Sequence, residues 1–435
     1  MAVISLPYGE EFFPVEIADA WLGEVAMPRP VTPVADVTML VRQALRQPVG
    51  SPRLERLARS GQRVVILVDD YTRRTPADQI LPPILAELSA AGVRRVDIRL
   101  VIASGSHRSM TEAEVAAKLG VAIPCQYEVI QISSDDDAQM VYLGVTSNGI
   151  PAWVNRAVGE TDLCVGVGMI TPHMDAGFSG GGKIILPGAC GSRTVDAFHA
   201  RQMDDPDNQL GNLDAPLHRD LEQFVGEQRR SGRVDSGGLL DFIINVITTI
   251  DEQVYQCVAG HFIRAHRAGV VYARQAYGVA LKRRYPVVIA GSYPHHQDLW
   301  QSIKALWSGD LMAADGGTLI LVTPAPEGFG GYPLLAEFLS RDPIQLRSEL
   351  ESGRLADPKC ASTALMIQQR RKRLKLGLVS SGFSRSEAKR MGMAYYYTVE
   401  AAIQEAVDRL PKSQQYGAVG VLTHGGVLLP MISVK

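Results

Sequence analysis

The sequence is short of the features that would place it outside a reducing, aqueous setting. It has five cysteines in 435 residues, at 125, 164, 190, 257 and 360, with no CxxC pair. An odd, widely scattered set of this kind excludes a disulfide framework and a structural zinc site. No apolar run approaches the ~20 residues of a membrane-spanning helix. Neither sign of charge dominates, with 44 Lys and Arg against 46 Asp and Glu and a formal net charge of −2. Nucleic acid is therefore not expected as a partner, because neutralising phosphates takes clustered cations. The densest basic stretch, Arg370 to Lys375, has no interleaved aromatics for base stacking and reads as a solvated helix face. The opening MAVISLPYGEEFF lacks a basic start and reaches Glu10 and Glu11 early, unlike a signal or transit peptide. The expectation is a soluble, cytoplasmic protein with no membrane partner. Internal repeats, HExxH, GxSxG and paired-carboxylate signatures are also missing.

What is present is a chain too long for one ordinary core, 46% hydrophobic and 21% charged. β-Branched runs predict strands at Arg63–Val68, Asp97–Ala103 and Leu163–Ile170. An amphipathic helix carrying Ile80, Ile84, Leu85 and Leu88 lies between the first two, and a helix opens at Thr111 with the Thr111/Glu114 capping box. A second alternating region follows. It has strands at Val287–Gly291, Thr318–Val322, Gly377–Ser380 and Ala418–Leu422 and a helix through Trp300–Leu306. The pattern breaks near Tyr277, at Gly278 and Lys282-Arg283-Arg284. The expectation is an α/β protein of two domains with mostly parallel sheets and a cleft between them. Residues 1–277 would form the first domain and 278–416 the second, with a tail, 417–435, that returns to the first. In such sheets ligands collect beyond the carboxyl ends of the strands, where the polar loops Asp69–Pro76, Ser104–Arg108 and Thr171–His173 are expected.

The most informative segment is PHMDAGFSGGGKIILPG, residues 172–188. Its glycines let the backbone approach a ligand, and their N–H groups are expected to form an anion-binding nest. The spacing from Gly177 to Gly182-Lys183 nearly matches a phosphate-binding P-loop, but position 184 is Ile where a hydroxyl would hold Mg²⁺. Residues 184–186 also read as extended where a P-loop starts a helix. Lys183 can instead meet a phosphate as a point charge or carry a cofactor through its amine, as a pyridoxal-phosphate enzyme would. A non-catalytic nucleotide-cofactor-binding protein is the third reading. His199 falls in a helix starting near Ser192, on a face with Val195 and Met203. His261, His266, His295 and His296 lack metal-ligand spacing and read as structural or surface residues.

DDYTRRTP, SGSHR, PHMDAGFSGGGKIILPG and TVDAFHA, with GSYPHHQDLWQSIKA in the second half, occur in one order across most of the chain. Together they resemble the lactate racemase family. The resemblance implies a 2-hydroxyacid racemase or epimerase using a nickel pincer nucleotide, a pyridinium-3,5-bisthiocarboxylic acid mononucleotide of Ni(II), supplied by separate cofactor-biosynthesis proteins. It implies that Lys183 forms a thioamide tether, that His199 ligates nickel, and that His107 and His173 are the acid–base pair. Asp70, Tyr71, Thr72 and Arg73 would bind the cofactor, while Arg73, Gln301 and Lys304 would bind the substrate carboxylate. Two bases suit an inversion that runs in both directions, and imidazole titrates in the right range for both. Arg74 and Trp300 depart from the family pattern, where proline and tyrosine are familiar. They leave open lactate itself or a larger, more polar or aromatic 2-hydroxy acid; Arg74 reads as a surface residue, with the second carboxylate of a malate-like substrate as the alternative partner.

Overall fold

A computed structural model describes residues 1–201, 205–228, 230 and 238–432; Met203, expected beside His199, lies outside them. The chain divides into two compact units, Pro30–Ala276 and a composite of Met1–Arg29 with Tyr277–Lys435.

The contiguous unit is built on a six-stranded sheet. Its order is Val254–Gly260, Phe242–Thr248, Leu163–Met169, Val64–Asp69, Ile98–Ala103 and Glu128–Gln131. All neighbours are parallel except the first pair. The central strands Val64–Asp69 and Leu163–Met169 are buried along their whole length, which is why they read as continuous apolar runs. One face packs on Val41, Ile80, Ile84 and Leu88. The other packs on Ile185, Leu186, Val195, Phe198 and Leu221, so the glycine–lysine segment and the His199 helix share a core. After the Val64 strand the chain steps one way to Ile98 and Glu128, and later returns on the other side to Leu163. The order therefore reverses between Val64–Asp69 and Leu163–Met169, the place where open α/β sheets bind ligands.

The composite unit holds a second six-stranded sheet, ordered Ala394–Tyr396, Lys375–Val379, Ala313–Val322, Tyr285–Gly291, Val419–Leu422 and Leu22–Ala26. Every neighbour is parallel. The α/β class with mostly parallel sheets is thus as expected.

Two expectations about the ends of the chain need correction. Residues 1–29 do not join the first domain, because Leu22–Ala26 completes the second sheet against Val419–Leu422. The tail does not return to the first domain either, because Leu429–Ile432 pairs with Gly278–Leu281 inside the composite unit. In both cases a strand too short to announce itself in sequence is fixed by a partner far along the chain, about 400 residues away in the first and about 150 in the second.

Candidate active site

Three strand ends in the contiguous unit deliver the polar loops. Val64–Asp69 runs into Asp70–Arg73, Ile98–Ala103 into Ser104–His107, and Leu163–Met169 into the hairpin that pairs His173 with Gly177. Because these strands are adjacent, the loops are neighbours.

Asp70 is buried, and its Oδ2 accepts from His107 Nδ1 at 2.7 Å. Its other oxygen accepts from the Thr72 backbone N–H at 3.1 Å and from the Thr72 hydroxyl. Burial works against the Asp70 carboxylate, but the bonds from His107 and Thr72 and the nearby Arg73 outweigh it and hold its pKa below the usual range. Asp70, expected as a cofactor ligand, is here bonded to His107, which was expected as one of the acid–base pair. A carboxylate at Nδ1 fixes that imidazole's orientation and tautomer, leaving Nε2 free to exchange protons.

The preceding residue faces the other way. Asp69 accepts from Thr75 Oγ1 and pairs with the buried Lys118 ammonium at 2.7 Å. Lys118 also donates to the Arg73 carbonyl at 2.7 Å, so the loop is pinned from beneath by the helix Glu112–Leu119. Arg73 Nη1 turns back onto Thr72 at 3.2 Å. Tyr71 lies 37% exposed under the Arg108 guanidinium, 4.2 Å from its centroid. Arg108 is itself locked to Glu114 at 2.7 Å. Arg74 is 71% exposed and meets Glu252 at 3.2 Å, the surface residue that was expected.

Lys183 Nζ stands 3.1 Å from His173 Nε2 and 3.5 Å from Nδ1. Burial pulls the ammonium down to about 8; Asp175 opposes that and Arg73 adds to it. The Asp175 backbone N–H donates to His173 Nδ1 at 3.3 Å.

The glycine-rich segment is not the nest it was expected to be, nor are residues 184–186 extended. Gly181–Ile184 forms a short 3₁₀ turn, and the N–H groups of Lys183, Ile185 and Leu186 return to Gly180 and Gly182 carbonyls. The Gly181 N–H donates to the buried Asn245 Oδ1 at 2.8 Å. The glycines are there because the segment is wedged. A Cβ on Gly181, whose φ is +55°, would stand 2.8 Å from His266, and one on Gly182 would stand 2.9 Å from Leu221. His266 donates from Nε2 to the Ser179 carbonyl at 2.8 Å, and burial pushes its pKa down to about 4, so it is neutral. Its ring stacks on His218, which donates to the Ala176 carbonyl at 2.8 Å and lies 3.3 Å from Glu222. His218, Asn245 and Lys118 were not singled out in sequence. Only His218 left a legible trace there, its i,i+4 spacing to Glu222 on one helix face.

His199 is half-buried near the end of the helix Ser192–Ala200, its ring 5.8 Å from Phe198. In the composite unit Lys304 Nζ donates to Gln301 Oε1 at 2.7 Å, so the structure brings these two expected substrate ligands together. Asp298 caps their helix through the Gln301 N–H at 2.7 Å. Trp300 stacks on Tyr332 with centroids 3.6 Å apart.

Residues 8–211 match the lactate racemase N-terminal domain, and residues 283–427 match the lactate racemase C-terminal domain. A lactate racemase of Lactiplantibacillus plantarum is 31% identical over 336 residues, covering 76% of this chain and 77% of that one.

The chain belongs to the lactate racemase family.

A second lactate racemase, from Thermoanaerobacterium thermosaccharolyticum, is 29% identical over 81% of this chain and 82% of its own. The lactate racemase apoprotein structure from that organism covers 99% of this chain and 100% of its own. It gives a TM-score of 0.83 at 27% identity. A Thermotoga maritima protein shares the fold, with a TM-score of 0.65 at 18% identity over 91% of this chain and 98% of its own. Like its relatives, the chain is a racemase, an isomerase of the lactate racemase kind. No helix among the described residues is long and apolar enough to cross a membrane.

The site suits a polar, tethered cofactor. Ser104 Oγ, three residues before His107, is buried with no protein hydrogen-bond partner, a vacancy that a polar ligand satisfies. Lys183 offers an amine of lowered basicity. Among the described residues no three His, Cys, Asp or Glu side chains cluster to cage a metal. A metal held by His199 would therefore bring its other donors with it, as a pincer ligand does.

Proposed function

We propose that this chain interconverts the enantiomers of lactate, or of a closely related 2-hydroxy acid. His107 and His173 would be its two acid–base groups, and Lys183 the anchor of a nickel pincer nucleotide that His199 also ligates. The observation that carries the proposal is the arrangement of two imidazoles after the two strands that flank Val64–Asp69. One is oriented by a buried carboxylate, and the other stands against an amine of lowered basicity.

Removing a proton from the carbon beside an ionised carboxylate would gather two negative charges on one small molecule. Removing hydride leaves a neutral, planar ketone carbon instead. When bound, the cofactor supplies the acceptor and donor of that hydride. The chain's residues do the rest. His107, held by Asp70 at Nδ1, takes or returns the hydroxyl proton of one enantiomer at Nε2. His173 does the same for the other. Arg73 binds the substrate carboxylate, a charge-assisted contact that fixes the acid while its C2 changes hand. Tyr71 and Thr72 border the cofactor, with Asp70 beneath them. The exposed Arg74–Glu252 pair gives no reason to invoke a second substrate carboxylate.

The test is intact mass and metal analysis of protein co-produced with the cofactor-making enzymes, followed by chiral analysis of D- and L-lactate. An adduct on Lys183 with about one nickel per chain and racemisation of either enantiomer supports the reading. A pyridoxal-phosphate adduct on Lys183, or racemisation without nickel, overturns it.

A further inference from the structure

We propose that His218 and His266 are positioning residues of the racemase. Their hydrogen bonds to the chain between His173 and Lys183 fix how far apart the acid–base imidazole and the anchoring amine stand. The inference rests on the roles that the proposed function gives His173 and Lys183.

His173 sits on the hairpin that pairs Pro172–His173 with Gly177–Phe178, and Lys183 on the turn Gly181–Ile184. Between them Gly177, Gly180 and Gly181 all adopt positive φ, at +70°, +79° and +55°. Glycine lets this segment thread between its neighbours, but it has more conformational freedom than any other residue and holds no spacing of its own. Side chains from outside supply the stiffness. His218, on the helix Pro216–Glu227, donates from Nδ1 to the Ala176 carbonyl at 2.8 Å. His266, on the helix Arg264–Tyr277, donates from Nε2 to the Ser179 carbonyl at 2.8 Å. A carbonyl only accepts, so the direction of both bonds is settled by their partners. Asn245, on the strand Phe242–Thr248, takes the Gly181 N–H and gives a third fixed point.

The two imidazoles are themselves held. They are 1% and 2% exposed and stack on each other, with centroids 5.6 Å apart and planes at 16°, so each ring blocks the other's rotation. Their helices are tied together as well. Glu222, one turn beyond His218, pairs with Arg267, the residue after His266, at 3.2 Å. His218 Nε2 lies 3.3 Å from the same carboxylate. The pair acts on the reaction through His173 and Lys183. Proton transfer and hydride transfer both depend on reacting groups being in place, and a displacement of about 1 Å costs about a hundredfold in rate. Loosening this segment therefore lowers the rate without weakening the hold on substrate.

Substitutions that keep the ring or keep the donor separate positioning from packing. Phenylalanine preserves the stack and removes the donor. Asparagine places an amide N–H where Nδ1 stood, and glutamine places one where Nε2 stood. The expected ranking is thus reversed between the two sites. His218→Asn should retain function where His218→Gln does not, and His266→Gln should retain it where His266→Asn does not. His218→Phe and His266→Phe should lose it. The first readout needs no cofactor and is hydrogen–deuterium exchange of residues 172–183 in the unloaded chain. Exchange there should quicken at least about fivefold in the donor-deficient variants, the size of one lost hydrogen bond. The second is racemisation of D- and L-lactate by loaded enzyme, where kcat should fall about ten- to a hundredfold with KM nearly unchanged. If the phenylalanine variants fail to fold, the two amides at each site decide the matter. Phenylalanine variants that outperform the matched amides, or donor-deficient variants within about threefold of wild type in exchange and kcat, overturn the inference and leave the proposed function standing. A wild type that takes no adduct and racemises neither enantiomer defeats the proposed function, and the catalytic role of the pair falls with it.

Discussion

Asp70→Asn tests whether the carboxylate under His107 sets its tautomer. Both Asp70 oxygens are acceptors: Oδ1 takes the Thr72 N–H and hydroxyl, and Oδ2 takes His107 Nδ1–H. Asparagine has one oxygen and one NH₂. With its oxygen toward the two Thr72 donors, its NH₂ faces His107 Nδ1, which must then accept. The imidazole hydrogen moves to Nε2, the atom that should receive the substrate's proton. The shape hardly changes while the chemistry is lost, and comparable changes beneath a catalytic histidine cost about 10²–10⁴-fold in turnover. The loss should fall on kcat, with KM nearly unchanged, because nothing that holds the substrate has moved. The interconverted species are mirror images with an equilibrium constant of one, so kcat/KM must fall equally from either side. The assay is racemisation of D- and L-lactate by loaded enzyme, read by chiral chromatography, with adduct and nickel content measured on the same sample. An Asp70→Asn enzyme that is fully loaded and retains more than about a third of wild-type kcat refutes the tautomer argument. One that fails to load returns Asp70 to the cofactor.

Lys183→Met should stabilise the unloaded protein. Its ammonium is pulled from 10.5 to about 8, a cost near 1.36 kcal/mol per unit, or about 3–4 kcal/mol. That cost is complete below pH 8 and vanishes as the pH rises toward 10.5, so the gain in Tm should shrink over the same interval. Gly181→Ala places a Cβ 2.8 Å from His266 at a positive φ, and should cost about 2–4 kcal/mol in urea unfolding. Lys118→Met strands the buried Asp69 and frees the Arg73 carbonyl. A loss of about 3–5 kcal/mol is expected, with a raised KM for lactate. Arg74→Ala should change stability by under about 0.5 kcal/mol and leave lactate turnover alone, since its ion pair is solvent-exposed.

The sequence made the strands of both sheets legible where burial is complete. Val64–Asp69, up to its last residue, and Leu163–Met169 are apolar, and the loops after them carry the polar residues expected at the site. What it hid depends on distance along the chain. Leu22–Ala26 has no strong pattern of its own and is a strand because Val419–Leu422 lies beside it. The glycine run suggested a ligand cradle because composition cannot distinguish a backbone that must meet a ligand from one that must meet His266 and Leu221. The bond from His107 to Asp70 was not anticipated, since a side chain's target across 37 residues is invisible until the strands are ordered.

The split of the composite unit bears on how the protein is made. The strand Leu22–Ala26 leaves the ribosome early, yet its partner Val419–Leu422 follows about 400 residues later, or about 20–80 s at ordinary elongation rates. Pro30–Ala276, an uninterrupted stretch, meets no such delay and can close its core during synthesis. The nascent amino terminus, including the exposed Phe12 of its hairpin, must stay out of wrong pairings throughout that time. Truncation near the carboxyl terminus should therefore leave an orphaned edge at the opposite end of the polypeptide.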